Sequence, residues 1–228
     1  MPINFNTLVK SENTLRQIFN RNFKHVINMH EQIYIVFCSK KTFDNNFLKT
    51  MQNLENCSNK FEMELLTEAS WVISKDVPRA AHLRFVLAII RSAKDIERMG
   101  DFAYNITHFF CNNKNNDENI NKLLTNLLDE SIKICKKIHD HVVKNTKNTK
   151  KYYIEVAAML IKRFNEKYIK TLNKFYDLIL KDKIQNKNKL FILTIIKYLD
   201  RNVDHAYNIL ENLIYINDPN FYKNNLLK

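Results

Sequence analysis

Two short runs in this 228-residue sequence place carboxylates at a spacing suited to cation binding. Glu97 and Asp101 are four residues apart, and so are Asp200 and Asp204. On a helix each pair shares one face, where like charges repel by about 0.3 kcal/mol when nothing sits between them. A hard cation, which takes carboxylate and amide oxygens as ligands, turns that repulsion into attraction. One helix offers too few oxygens to close a coordination shell, so a neighbouring helix must contribute, as in carboxylate sites of helix bundles. Asn105 and Asn208 continue each stripe by a further turn. The competing reading is an ordinary solvated face, with Arg98 paired to Asp101 and Arg201 to Asp204 at i,i+3.

The two stripes belong to a longer repeat. Glu97-Arg-Met-Gly-Asp-Phe-Ala-Tyr-Asn-Ile106 and Asp200-Arg-Asn-Val-Asp-His-Ala-Tyr-Asn-Ile209 agree at six of ten positions with an offset of 103 residues. Leu87/Leu190, Ile89/Ile192 and Lys94/Lys197 match at the same offset. Arg, Asp, Ala and Tyr in register point to duplication of a unit of about half the chain. Gly100, the one Gly of the sequence, stands beside Asp101. A mid-helix Gly costs about 1 kcal/mol relative to Ala, which a close approach by another helix or a bound group would explain. Val203 occupies the corresponding place in the second copy.

The elements that must position these residues are helices. With one Gly and three Pro (Pro2, Pro78, Pro219), the chain cannot contain a Rossmann fingerprint or a P-loop, and it lacks the turn residues of an all-β sandwich. Polar clusters and breakers divide it into six segments: about Phe5 to Cys38, Asp44 to Ser74, Pro78 to Cys111, Glu118 to Lys144, Lys151 to Leu180 and Lys189 to Tyr215. Ser39-Lys-Lys-Thr42 and Asn112–Asp117 read as loops, and Pro78 is expected in a first helical turn, where its missing N–H is harmless. The expected fold is all-α: six long antiparallel helices forming two tandem three-helix bundles, residues 1–112 and 113–228.

Net charge is +12, yet Lys outnumbers Arg 28 to 8 and Asn and Ile abound, as in compositions set by A- and T-rich codons. The Lys-rich stretch Lys133 to Lys151 reads as a solvated helix end and loop, and no nucleic-acid partner is expected. Cys38, Cys57, Cys111 and Cys135 form no C-x-x-C, which fits a reducing compartment. The start MPINFNTLVK lacks signal-peptide order, and the longest apolar run, Phe85 to Ile90, is far below the ~20 residues of a membrane span, so a cytoplasmic protein is expected. The seven His form no H-x-x-x-H or H-E-x-x-H pattern; His205 is expected at the surface, on a different face from Asp204. Arg84, Arg91 and Arg98 recur every seven residues, as a basic ridge or a solvated face.

Pro78-Arg-Ala-Ala-His-Leu-Arg84, continuing to Asp95-Ile-Glu-Arg-Met-Gly-Asp-Phe-Ala-Tyr-Asn-Ile106, resembles the signature of the PhoU family, P-x-A-x-D-L-R followed by L-E-R-I-G-D-x-A-x-N-I. Leu199-Asp-Arg-Asn-Val-Asp-His-Ala-Tyr-Asn-Ile209 resembles the family's second copy, so the likeness spans essentially the whole chain. The resemblance implies a regulator of phosphate uptake and phosphate signalling. Its expected partners are the ATPase subunit of a phosphate ABC transporter, a phosphate-sensing histidine kinase where one exists, and a second copy of the chain as a homodimer. It also implies divalent metal (iron, zinc or another ion) on the E/D-x-x-x-D motifs, which fall here on Glu97, Asp101, Asp200 and Asp204. The family's facing D-x-x-x-D, placed by counting from Glu62, falls on Glu55 and Asn59, of which Glu55 keeps the carboxylate. In the second half only Asn165 and Glu166 lie near the facing place, and the Asp of D-L-R is His82.

Two further classes compete with this reading. A metal-dependent hydrolase or oxidase would use the carboxylate pairs, but the stripes lack the Glu-x-x-His pairs of di-iron bundle enzymes, and no nucleophile constellation is present. A basic nucleic-acid-binding helical protein is suggested by charge alone. The expectation is a non-enzymatic regulator.

Overall fold

The computed structural model describes residues 5–39, 43–112, 118–144, 148–180 and 186–220. Among these there is no strand, and the helices form six long rods. These are α1 (Phe5–Cys38), α2 (Asn45–Asp76), α3 (Ala81–Asn112), α4 (Glu118–Lys144), a fifth rod, and α7 (Asn186–Asn217). The fifth rod runs without a break through α5 (Thr149–Tyr152), a π-helical stretch Tyr153–Ala157 and α6 (Ala158–Leu180). The expected loops lie largely outside the described residues: 40–42 of the first, and 113–117 of the second, whose Asn112 still belongs to α3.

Local chemistry explains the ends of α2. Asp44 is extended and its Oδ1 accepts from the Phe47 N–H at 2.7 Å, satisfying one of the orphan donors of the first turn. At the other end Val77 closes the helix in the left-handed region (φ 46°), and Ala80 follows at φ 51°. A β-branched residue is a poor occupant of that region, where Gly is usual. Pro78 therefore lies in the turn rather than in a first helical turn, since the left-handed Ala80 delays the start of α3 to Ala81.

Cross-helix contacts fix the directions. Arg21–Glu64, Asn22–Phe61 and His25–Leu54 run α1 against α2, and Glu62–Lys94 and Asp44–Cys111 run α2 against α3. In the second half Glu130 meets Arg163 and Lys167 across α4 and α6, and Tyr153 meets Glu211 across the π-helical stretch and α7. Every one of these neighbours is antiparallel, as short connections require. The apolar faces, including Leu15, Phe23, Val26, Ile89, Met99, Leu127, Ile138, Phe164 and Ile195, join in one core. The most extensive packing in the molecule is α3 on α7, and α1 also packs on α4. Among the described residues no helix is long and apolar enough to cross a membrane.

Candidate functional site: two acidic seams

Gly100 is the position that brings α2 and α3 together. A Cβ built there would lie 2.9 Å from Ser58 Oγ and 3.3 Å from Ser58 Cβ, so any larger residue would have to displace the Ser58 side chain of α2. Immediately beside this contact runs the first seam. From α2 come Glu55, Asn59 and Glu62; from α3 come Lys94, Glu97, Arg98 and Asp101. Asn59 Nδ2 donates to Glu55 Oε1 at 2.6 Å, orienting that carboxylate. Lys94 Nζ sits 2.7 Å from Glu97 Oε2 and 3.8 Å from Glu62 Oε1. Arg98 reaches Asp101 at 3.4 Å and Glu97 at 3.9 Å.

The electrostatics are those of carboxylates crowded out of water. Asp101 is pushed up from its ordinary 3.8 to about 6, chiefly by desolvation and then by the negative charges of Glu97 and Glu55, against the opposing pull of Arg98. Glu62 is raised as well, mainly by desolvation, with Glu97 adding to it and Lys94 opposing. So the structure brings together Glu55, Glu97 and Asp101, and adds Glu62. That carboxylate served above only as a register mark, because nothing in its spacing sets it apart.

A sign follows for stability. The folded Asp101 carboxyl keeps its proton to higher pH than the unfolded one, so it favours folding below about pH 4 and loses that contribution as pH rises through about 6. Asp101→Asn should therefore stabilise the metal-free chain by about 1 kcal/mol near neutrality, a figure discounted for the site's partial exposure. The gain should vanish by about pH 4. Urea unfolding of both forms at the two pH values measures it.

The second seam repeats one half of this design. Arg201 reaches Asp204 at 3.4 Å, the distance of its counterpart Arg98–Asp101. Asp200 is raised, chiefly by desolvation and then by Asp204. The facing helix differs. Asn165 and Glu166 are exposed, and the α6 group that senses Asp200 and Asp204 is the Tyr168 phenol, itself raised mainly by burial and then by Asp200. The α4–α6 polar contact is instead Glu130, 5% exposed, held by Arg163 Nε at 3.1 Å and by Lys167 Nζ. No sequence spacing announced Glu130; it lies alone on an apolar face.

The other residues singled out in the sequence take the following places. His205 is half-buried rather than free at the surface: its Nδ1 is 2.8 Å from Asp95 Oδ1, between α3 and α7, because α7 turns that face toward α3. Asn208 likewise donates to Asp95, at 3.1 Å, and so leaves the acidic stripe. Asn105 is exposed. Arg84 and Arg91 form no open ridge: Arg84 Nε donates to the Ile216 carbonyl at 2.9 Å, and the Arg91 guanidinium lies 5.5 Å from the Tyr215 ring centre. His82 faces α1, with Nδ1 2.7 Å from Glu12. Within the Lys-rich stretch, Lys133 and Lys136 are half exposed and paired with Asp129 and Glu31.

The donor types of the first seam, four partly buried carboxylates from two helices with an amide oxygen adjacent, are those a hard divalent cation takes. Among the described residues no three His, Cys, Asp or Glu side chains already stand at ligand spacing. A cation would thus draw them in and meet the Lys94 ammonium. The second seam does not fit, since two carboxylates on one helix facing a phenol give too few charged oxygens.

Comparison with known proteins follows the same lines. Residues 19–109 match the model of the PhoU domain. The chain is 32% identical over 222 residues to the uncharacterized protein MG409 of Mycoplasma genitalium, covering 96% of this chain and 98% of that one. It is 29% identical over 232 residues to the MG409 homolog of Mycoplasma pneumoniae, with the same coverage. Among solved structures it resembles the phosphate transport system regulatory protein PhoU from Streptococcus pneumoniae, with TM-score 0.79 and 20% identity over 95% of this chain and 99% of that one. PhoU from Pseudomonas aeruginosa matches with TM-score 0.59 and 16% identity over 94% and 97% of the two chains. By its family model, its full-length relatives and its helical architecture, the chain belongs to the PhoU family.

Proposed function

We propose that this protein regulates phosphate transport, acting as a docking subunit rather than as an enzyme. Its partner in this reading is the nucleotide-hydrolysing subunit of a phosphate ABC transporter, on the cytoplasmic side where such subunits work. A phosphate-sensing histidine kinase and a second copy of the chain are further partners on the same proposal. The observation that carries the reading is the family match over 19–109, which contains both Pro78–Arg84 and Glu97–Ile106. Full-length likeness to a protein described as a phosphate transport system regulator supports it.

The metal reading belongs to the same proposal, for the first seam only. Glu55, Glu62, Glu97 and Asp101 would hold a divalent ion, which would supply charge neutralisation and tie α2 to α3. Asp200 and Asp204 are left out for the reason given above.

The test is association. The purified chain and the nucleotide-binding subunit of the phosphate transporter from the same cell should form a complex by calorimetry or by gel filtration at micromolar concentration. Absence of a complex at about 10 µM, both with and without Mn2+, removes the docking role, since that corresponds to less than about 7 kcal/mol of binding.

A further inference from the structure

Helix α6 buries one face in the core through Leu160, Phe164, Thr171 and Phe175 and leaves the opposite face to solvent. Its packing on α4 and α7 is less extensive than that of α2 on α1 and α3. Along the open side, exposed residues recur at alternating steps of three and four: Met159, Lys162, Glu166, Ile169, Asn173 and Tyr176, with Leu180 at the end. That is the spacing of a seam between two helices. Its apolar members are far out of the core, Met159 at 63%, Ile169 at 55% and Leu180 at 83% exposure. Lys162, Glu166 and Asp177 are exposed too, and none has an ion-pair partner among the described residues. We infer that this face of α6 pairs, antiparallel, with the same face of a second copy, about a two-fold axis passing between Ile169 and Lys170. The inference rests on the second-copy partner proposed above and gives it a surface.

The physical case is self-complementarity, which a two-fold contact demands of a single surface. With the axis at that point, Met159 faces Leu180 of the other copy, Lys162 faces Asp177, and Glu166 faces the Asn173 amide. Each of these contacts occurs twice, and the two Ile169 side chains meet near the axis. Apolar ends, opposite charges and a carboxylate against an amide thus all come from one helix set against its own reverse.

Other registers lack this match. Parallel pairing would set Lys162 and Glu166 each against its own copy. Sliding the antiparallel pair by seven residues toward the N-terminus would set Lys162 on Lys170 and Glu166 on Glu166. Like charges so placed act against the wrong pairing as strongly as opposite charges favour the right one. The contact runs from Met159 to Leu180, roughly 33 Å at ~1.5 Å per residue. One helix per partner is at the small end of specific interfaces, so the dimer is reversible, with a dissociation constant in the micromolar range.

The experiment is sedimentation equilibrium of the full chain from about 5 to 200 µM, in about 0.15 M salt to screen the net positive charge. Wild type should show a reversible dimer. Lys162→Asp and Asp177→Lys should each weaken it at least about tenfold, since each puts like charges opposite one another at two places. Mixed in equal amounts, these two variants should associate as wild type does, because every Lys then faces an Asp again. The chain carrying both exchanges should also dimerise within about threefold of wild type. Ile169→Asp should stay monomeric throughout the range. All four should keep the helicity and melting point of the wild-type monomer, as the exchanged side chains are exposed. A wild-type dimer that survives both single exchanges and Ile169→Asp overturns the role of α6 and leaves the second copy on another face. A wild type that stays monomeric to about 200 µM overturns the second-copy partner together with this face. Neither outcome touches docking on the transporter subunit, which the association test above decides separately.

Discussion

Replacing Arg163 and Lys167 together by methionine should destabilise the protein by about 3 kcal/mol, and adding Glu130→Leu should return most of the loss. Glu130 is buried within the α4–α6 contact at 5% exposure, and both of its cationic partners reach it from the solvent side of α6, where they are 63% and 41% exposed. Removing the partners costs little in itself, since two half-exposed side chains give up surface ion pairs. What it leaves is a carboxylate inside the protein with nothing to neutralise it, and that is the large quantity. Substituting the carboxylate by an apolar group of similar size removes the problem at its source. Urea unfolding monitored by circular dichroism checks the order: wild type most stable, the double variant least, the triple variant near wild type. A double variant within about 0.5 kcal/mol of wild type would mean that water already solvates Glu130 and that the contact holds nothing together.

The bundle was legible because its signals are periodic. Long apolar stripes, near-absence of Gly and the 103-residue repeat each act over many residues, so single exceptions do not erase them. Helix ends were less so. Nothing local foretells that Val77 and Ala80 take left-handed backbone, since the usual Gly is missing and tertiary packing imposes the turn. The α2 side of the first seam was half visible: Glu55 followed from the family register, while Glu62 and Lys94 acquire meaning only when α2 lies on α3. Gly100 was readable as a close approach but not its partner, Ser58, which is 42 residues away in the chain.

What the repeat concealed is the contact between its own copies. On α3 and α7 the pair Asp95–His205 and the pair Phe102–Tyr198 occupy equivalent places, because Asp95 corresponds to Tyr198 and Phe102 to His205 at the offset of 103 residues. One place is a hydrogen-bonded carboxylate–imidazole contact at 2.8 Å and the other a ring stack with centres 5.2 Å apart. The two places need complementary partners and not identical residues, so the best-matched positions of the repeat bypass them. The contact between the two copies of the sequence repeat thus carries two chemistries at equivalent places, which identity matching cannot detect.

That divergence yields the second large effect. Asp95 is the acceptor for three donors from α7: His205 Nδ1, Asn208 Nδ2 at 3.1 Å and Asn212 Nδ2 at 3.3 Å, with Ser92 Oγ accepting from Asn212 at 3.2 Å as well. Asp95→Ala should cost about 3 kcal/mol, because three donors in a partly buried contact lose their shared carboxylate acceptor. Asp95→Asn should cost less, since its amide oxygen can still accept from His205 and Asn208 where Oδ1 stood, and only the weaker Asn212 donor then meets an NH2. A double-mutant cycle with His205→Ala isolates the imidazole's share, and a coupling of about 1–2 kcal/mol is expected. The same cycle on Phe102 and Tyr198 should give a smaller coupling, about 1 kcal/mol, as stacked rings do. If Asp95→Ala and His205→Ala prove additive, the carboxylate does not hold α7 through the imidazole. The α3–α7 seam would then rest on its apolar side chains and on the Phe102–Tyr198 stack, and the two equivalent places would be unequal in energy as well as in chemistry.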